Sequence, residues 1–499
     1  MNTKLLMQKI LDLAIRGKLT QQLKSDGTAA DLLNEIADAK SALSQPKGKK
    51  SKDSVQITPL DKNEAPFEIP ANWEWVRLGD IGKWQSGTTP SKSNSSYYKD
   101  GTIPWLNTGD LNDGIINDIP KRVTEKALAE TSLRLNEAGS VCIAMYGATI
   151  GKLGILSMPA TTNQACCVCN NLKSFVNRMW LFYFLMNHKQ EFIEAGFGGA
   201  QPNISKEKIV STIFPLPPLA EQQRIVEKIQ EAFAEIDSIE KNKELLKTHI
   251  KQARQKILDL AIHGKLVPQN KTDGTARELL SVILSEAQSA KSKDLKKVDA
   301  KATRDNPHYE KLTDVPFEIP DSWEWVKLGD VAYIASGSTP SKEAFVDNGI
   351  PYLKMYNLRN QQIDFEYKPQ YVKREIHEGK LARSKAKPGD VIMNIVGPPL
   401  GKVALVPDSL PECNFNQAAV LIRALYSSNL MNQYIRYFLL QMDEINAVNT
   451  KGTAGQENIS LTQTQKMRFP LPPLAEQKRI VDRIEEIFAS LDEISLHLV

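Results

Sequence analysis

The 499-residue sequence predicts an α+β protein: two α/β domains separated by a pair of long antiparallel coiled-coil helices, with a pseudo-two-fold internal repeat. Three observations carry that expectation. Lys9–Leu19, KILDLAIRGKL, recurs as Lys256–Leu266 with 10 of 11 positions identical. Pro66–Gly82, PFEIPANWEWVRLGDIG, recurs as Pro316–Ala332 with 12 of 17 identical. Phe214–Asp237, FPLPPLAEQQRIVEKIQEAFAEID, recurs as Phe469–Asp492 with 17 of 24 identical, and the order is the same in both copies. A period near half the chain is a tandem duplication, far longer than a solenoid repeat.

In chain order, 1–37 is a helical segment and 38–65 a linker. Residues 66–216 form the first variable domain, and 217–284 a central helical segment. A second linker, 285–315, precedes the second variable domain at 316–471 and a terminal helix at 472–499. Both linkers are poor in apolar residues and rich in lysine (Lys47, Lys49, Lys50, Lys52; Lys291, Lys293, Lys296, Lys297). Such a cluster can grip phosphate, or simply be a solvated loop. Within the variable domains, Val141–Met145, Val391–Val396 and Ala418–Ile422 are short apolar runs bounded by Gly, Pro and Asn, as strands are. Met179–Ala195 and Leu430–Val448 read as helices.

From Ala220 to Lys265 no Gly or Pro appears before Gly264, and Pro217-Pro218 stand just ahead, where a helix start tolerates proline. Ile225, Ile229, Ile236, Ile250 and Ile257 lie on a heptad seam through this stretch, a rod of roughly 70 Å at 1.5 Å per residue. Ile480, Ile484 and Leu491 keep the same register near the C-terminus, and Leu6, Ile10 and Leu13 near the N-terminus. The two terminal pieces are therefore expected to meet, rebuild one helix, and lie antiparallel to the central one.

Composition is that of a globular protein: 41% hydrophobic, 24% charged, net charge +4. No apolar run approaches the roughly 18 residues of a membrane span, and five cysteines make no disulfide framework, which fits a cytoplasmic protein. Cys166, Cys167 and Cys169 lack a fourth ligand at zinc spacing; their counterparts are Ala419, Val420 and Ile422, so they read as buried strand residues. GATIGK at Gly147–Lys152 is one residue short of a phosphate loop, and Leu153 stands where Ser or Thr belongs, so a tight turn is the better reading. Trp73, Trp75, Trp323 and Trp325 recur in both frames as packing anchors. The six histidines (188, 249, 263, 308, 377, 497) are scattered, without paired carboxylates or a nucleophile at motif spacing, and no methyltransferase, nuclease or helicase motif is present.

Acidic and basic residues nearly balance within each variable domain, so any nucleic-acid surface must come from arrangement rather than excess charge. The semi-repeated loops SGTTPSK (Ser86–Lys92) and SGSTPSK (Ser336–Lys342) carry hydroxyls, amides and a lysine suited to phosphate. Divergent positions beside them are of types that read base edges, although solvated loops use the same types. Candidate contacts in the first domain are Ser86, Thr88, Thr89, Ser91, Lys92, Trp105, Asn107, Thr108, Tyr146, Lys152, Gln201 and Asn203. In the second they are Ser338, Thr339, Ser341, Lys342, Tyr352, Lys354, Tyr356, Asn357, Arg359, Lys402, Gln456 and Asn458.

Two variable domains alternating with near-identical regions that carry FPLPPLAEQ and ILDLAIxGKL resemble the specificity subunit of type I restriction–modification enzymes, over essentially the whole chain. The resemblance implies a non-catalytic subunit with two target-recognition domains, each reading one half of a split, asymmetric site in double-stranded DNA. It implies docking of two modification subunits on the helical regions, with restriction (motor-nuclease) subunits joining for cleavage. S-adenosylmethionine, ATP and magnesium are then expected on those partners, with no cofactor or metal on this chain. The same chain could instead serve a fused nuclease–methyltransferase, or be a coiled-coil adaptor without a DNA role.

Overall fold

The computed structural model describes residues 2–33, 60, 64–170, 172, 174–196, 203–293, 312–397, 400–441 and 458–498. The chain divides into two units, Met1–Asn242 and Lys243–Val499, which share one helix. Most of linker 38–65, residues 294–311 of linker 285–315, and the calls at His308, Gln201 and Gln456 lie outside the described residues.

The first unit begins with α1 (Thr3–Ile15), capped by the Asn2 side chain on the Leu5 amide. There follow β1 (Glu74–Arg77), α2 (Leu78–Ile81), β2 (Lys83–Ser86), β3 (Ile103–Leu106), β4 (Gly114–Ile116), β5 (Arg122–Val123) and α3 (Glu125–Glu130). Next come β6 (Val141–Ala144), β7 (Leu153–Leu156), β8 (Thr161–Thr162), β9 (Cys166–Asn170), α4 (Arg178–Asn187), α5 (Lys189–Gly196), α6 (Lys206–Ser211) and β10 (Ile213–Leu216). The long helix α7 (Leu219–Ile262) gives its first half to this unit. A five-stranded sheet in the order β2-β9-β6-β7-β4 and a three-stranded sheet β5-β3-β8 form the domain.

The continuous apolar runs in β6 and β9 are explained by burial on both faces. Val141, Ile143, Cys167 and Cys169 enter the core shared with α1, α4 and α7, while Cys142, Ala144, Cys166 and Val168 enter a second core on the opposite face. The cysteines are thus strand packing, and burial pushes the Cys167 thiol up to about 12.

The second unit takes the rest of α7, then α8 (Ala276–Lys293), β11 (Glu324–Lys327), α9 (Leu328–Val331), β12 (Ala332–Ser336), β13 (Phe345–Val346), β14 (Ile350–Leu353), β15 (Leu358–Arg359), β16 (Gln362–Ile363) and β17 (Tyr371–Val372). It continues through α10 (Arg374–Glu378), β18 (Val391–Asn394), β19 (Val403–Leu405), β20 (Asn414–Phe415), β21 (Ala419–Ala424), α11 (Ser428–Gln441), α12 (Leu461–Gln465), β22 (Arg468–Leu471) and α13 (Leu474–Leu496). Its sheets run β12-β21-β18-β19 and β13-β17-β14-β20, with a separate β15-β16 hairpin. Helix α8 reaches Lys293, so the first part of the second linker is helical rather than a loop.

The repeated motifs pair with one another. In each unit the WEW strand lies antiparallel to the FPLP strand: Trp75 opposite Pro215, and Trp325 opposite Pro470. Trp73 Nε1 donates to Glu221 at 3.0 Å, and Trp323 Nε1 to Glu476 at 2.9 Å, both carboxylates being buried. Burial raises the Glu476 pKa, against the lowering effect of the Trp323 and Gln269 hydrogen bonds. Arg224 grips Asp26, and Arg479 grips Asp273. The substitution of Arg16 by His263 is conservative here: one stands over Phe67 at 4.6 Å, the other stacks on Phe317 at 3.8 Å.

These contacts lay α1 antiparallel to the first half of α7, with Thr3 bonded to Glu240 and Asp26 to Arg224. In the second unit Arg254 meets Phe488 and Asp492, while Pro268 and Asp273 meet Arg479, the same antiparallel arrangement. Ile225, Ile229, Ile236, Ile250, Ile480 and Ile484 are buried, and Ile10, Ile257 and Leu491 partly so. The expected seam fails at Leu6, which is 36% exposed, and weakens at Leu13. The reason is that α1 packs against α4 as well as α7, so Leu11, Ala14 and Ile15 face the core instead. Ile239 and Leu246 on α7 are also exposed.

Gly264 ends α7 at φ +65°, and a Cβ there would lie 2.4 Å from Pro320 Cγ; Gly17 repeats this against Pro70 at φ +66°. Gly264→Ala combines a left-handed backbone with that overlap and is expected to destabilise its unit by about 2 kcal/mol or more in urea unfolding.

Candidate nucleic-acid interface

Strand direction brings the candidate loops to one end of each sheet. In the first domain β2 ends opposite the start of β9 (Ser86 opposite Cys167), and β6 ends there too (Ala144 opposite Cys166). β7 starts at that end, β4 runs parallel to β7, and β3 ends where β8 ends (Leu106 beside Thr162). Loop 86–92 therefore lies on loop 163–165: Thr88 N donates to Thr162 O at 2.9 Å, and Thr89 Oγ1 donates to Gln164. Loop 146–152 joins them, because Tyr146 bridges Asn203 and the Ile204 amide donates to Met145 O at 3.0 Å.

The second domain repeats this. Ser338 N donates to Phe415 O at 3.1 Å, Val396 bridges Asn458, and Ile459 N donates to Ile395 O at 2.9 Å. The repeated glycine of SG(T/S)TPSK is a close-approach residue. A Cβ on Gly87 would sit 2.2 Å from the Asn163 and Thr162 carbonyl oxygens, and one on Gly337 2.1 Å from Asn416 O.

At this end Ser86, Ser91, Lys92, Tyr146, Asn203, Thr339, Ser341, Lys342 and Arg359 are exposed. Thr88, Thr89, Thr108, Lys152, Ser338, Lys354, Tyr356, Lys402 and Asn458 are half-buried. Asn107 is half-buried and tied down, its Nδ2 on Trp105 O and its amide on Asp110. The one-turn helix at Gly147–Thr149 leading into Lys152 is a tight turn.

Three candidates are corrected. Trp105 is 6% exposed and its Nε1 donates to Thr88 O at 3.1 Å. Tyr352 is wholly buried and its hydroxyl donates to Ser338 O at 2.8 Å. Asn357 is 1% exposed, with Nδ2 on the Asp364 and Tyr367 carbonyls. Their polar atoms hold the loops from beneath and have no surface to offer a base.

The two domains differ beside β3 and β14. The first inserts β4 into the main sheet, and Asp113 Oδ1 accepts the Leu153 amide at 2.9 Å. The second forms the β15-β16 hairpin, and Gln361 accepts the Val403 amide at 2.8 Å at the matching edge. Asn360 and Gln361 both have positive φ (50° and 58°), as a tight two-residue hairpin turn requires. Arg359 lies 4.1 Å over the Tyr367 ring, Lys368 5.4 Å from it, and Tyr356 packs edge-on to it at 6.1 Å. Tyr367 and Lys368 escaped the sequence reading, because nothing in the composition of 356–368 reveals that the chain doubles back.

The family model described as "Type I restriction modification DNA specificity domain" matches residues 70–248 and 320–496. The EcoAI specificity subunit of a type I restriction enzyme from Escherichia coli is 25% identical, covering 98% of this chain and 90% of its own. The EcoR124I/EcoR124II specificity subunit, also from E. coli, is 30% identical over 31% of this chain and 39% of its own. Among solved structures, one from a study of type I R-M complex assembly has a TM-score of 0.55 at 19% identity, covering 87% of this chain and 94% of that one. The HsdS subunit from Thermoanaerobacter tengcongensis has a TM-score of 0.50 at 18% identity, covering 87% and 93%.

Tyr352→Phe removes one buried hydroxyl and its hydrogen bond to Ser338 O. It is expected to lower unfolding free energy by about 1 kcal/mol in denaturant titration, as a packing residue should.

Proposed function

The chain belongs to the type I restriction–modification DNA specificity family, and from that premise we propose that each recognition domain reads one half of a bipartite, asymmetric site in double-stranded DNA. The reading surface is the set of loops gathered at one end of each sheet. That convergence is the observation that carries the proposal: five separate stretches of each domain, distant in sequence, present hydroxyls, amides and lysines together. Lys92, Lys152, Lys342 and Lys402 would position phosphates, while the unlike loops beside them would read unlike half-sites. In the second domain the hairpin presents Arg359 on Tyr367, a guanidinium held for base-edge contact.

The specificity subunit is the non-catalytic member of its system. The near-identical frames present the same surface twice, which suits docking of two copies of one modification subunit, with restriction subunits joining the complex. S-adenosylmethionine, ATP and magnesium would then be held by those partners. The 44-residue helix α7 would set the spacer between half-sites. No described helix is long and apolar enough to cross a membrane, and a cytoplasmic location follows from the proposed substrate.

Exchange of residues 66–216 for the matching domain of a relative, followed by methylome sequencing with partner subunits, is expected to change one half-site and leave the other half-site and the spacer intact. A recognition motif unchanged by the exchange would favour an adaptor without a DNA role. Deleting one heptad from α7 is expected to shift the spacer alone.

Arg359→Ala is expected to cost about 1–3 kcal/mol in binding and to relax preference in one half-site only. Lys342→Ala should weaken binding evenly across sequences and reduce the salt dependence by about one counterion.

A further inference from the structure

In the second recognition domain tertiary structure assembles a cluster that the linear order of the histidines hides. His377 on α10 is 1% exposed, and donor atoms of His377, Glu378 and Glu412 lie within 4.8 Å of one another. We infer that these three residues bind a divalent metal ion of the Zn2+ class, clipping α10 to the segment that leads into β20.

The tautomer of His377 is set by its neighbour. Asn414 Nδ2 donates to the Leu381 and Ser384 carbonyls, each at 3.1 Å, so its Oδ1 accepts from His377 Nδ1 at 2.6 Å. A backing acceptor on Nδ1 is how ligating histidines are oriented. Nε2 then faces Glu412 Oε2 at 3.3 Å and Glu378 Oε1 at 3.8 Å. The other oxygen of each carboxylate is taken by a cation: Arg374 on Glu412 Oε1 at 2.7 Å, Lys385 on Glu378 Oε2. Each carboxylate thus has its outer oxygen on a cation and its inner oxygen turned toward Nε2.

The inner atoms are thus three acceptors turned toward one another. A metal ion would satisfy all three at once. A charge-assisted N–H···O bond closes to about 2.7–2.9 Å, shorter than either separation, and a proton can serve only one carboxylate. Ligands about 2.0–2.1 Å from a tetrahedral metal stand roughly 3.3 Å apart, against 3.3 and 3.8 Å from Nε2 to the two carboxylates and no more than 4.8 Å between any two of the three groups here. One nitrogen and two carboxylate oxygens suit Zn2+, with a fourth position left for water.

The fold does not demand the cluster. Matching the caps Thr124 and Lys373 places Leu128 and Ala129 of α3 where His377 and Glu378 stand. Matching Trp105 beside Thr161 to Tyr352 beside Asn414 places Pro159 at Glu412. The first domain builds the same elements with no ligand atom there.

The test is Zn2+ titration of the chelator-treated full chain by calorimetry, with Co2+ absorption spectra as a second readout, against the Glu378→Gln/Glu412→Gln double variant. Glu378 is exposed and Glu412 half-buried, and Gln is isosteric with Glu, so the variant should fold; equal melting without metal checks that. The expected result is one Zn2+ site in the parent, weakened at least about tenfold in the variant, with a melting temperature raised by Zn2+ only in the parent. Equal binding by parent and variant overturns the inference. So does absence of Zn2+ binding to the parent.

Discussion

A buried carboxylate accepting a tryptophan N–H holds each half of this protein together. Glu221 and Glu476 sit in the first turn of helices that begin at LPPLAEQ and are buried there, so each carboxylate needs a partner. Each is reached by the tryptophan that opens its recognition domain. A buried hydrogen bond to a charged group is worth about 1.5–3 kcal/mol and is expensive to leave half made. The bond therefore pins the domain's first strand to the helix that follows its last strand. The β1–β10 and β11–β22 pairings close the same clasp. The repeated motifs are thus one joint seen from several sides.

Because the joint lies at the neck, the rest of each domain is free to vary. Its strands are buried on both faces and tolerate any well-packed apolar set, as the exchange of Cys166, Cys167 and Cys169 for Ala419, Val420 and Ile422 illustrates. The loop end carries the differences. A parallel strand at Gly114–Ile116 in one domain and a hairpin at Leu358–Ile363 in the other are alternative ways to cover the same sheet edge. Asp113 and Gln361 satisfy that edge with different side chains. A common scaffold carrying unlike loops suits the two-part, asymmetric target proposed for it.

The internal repeat, the long helix, the strand character of the cysteine run and the packing role of the tryptophans were all legible in the linear chain. Each depends on local periodicity or on identity between copies, and the second copy serves as a control on the first. Which candidates face outward was not legible. Trp105 and Asn107 are two residues apart, yet one is sealed under its loop and the other is half-buried in the turn that follows, since the strand ends between them. Tyr352 and Asn357 have side chains of the kind that read bases, but the loops that cross above them use up their polar atoms.

The sequence by itself determined the duplicated architecture and the division into frame and recognition domains, because hydrophobic period and repeated motifs are properties of neighbours along the chain. Only the tertiary structure decided how the motifs clasp, where α1 turns its apolar face, and that His377 stands beside Glu412, 35 residues away. Those facts depend on strand register and on which side chain wins the buried space. Both are settled by contacts between segments far apart in the chain.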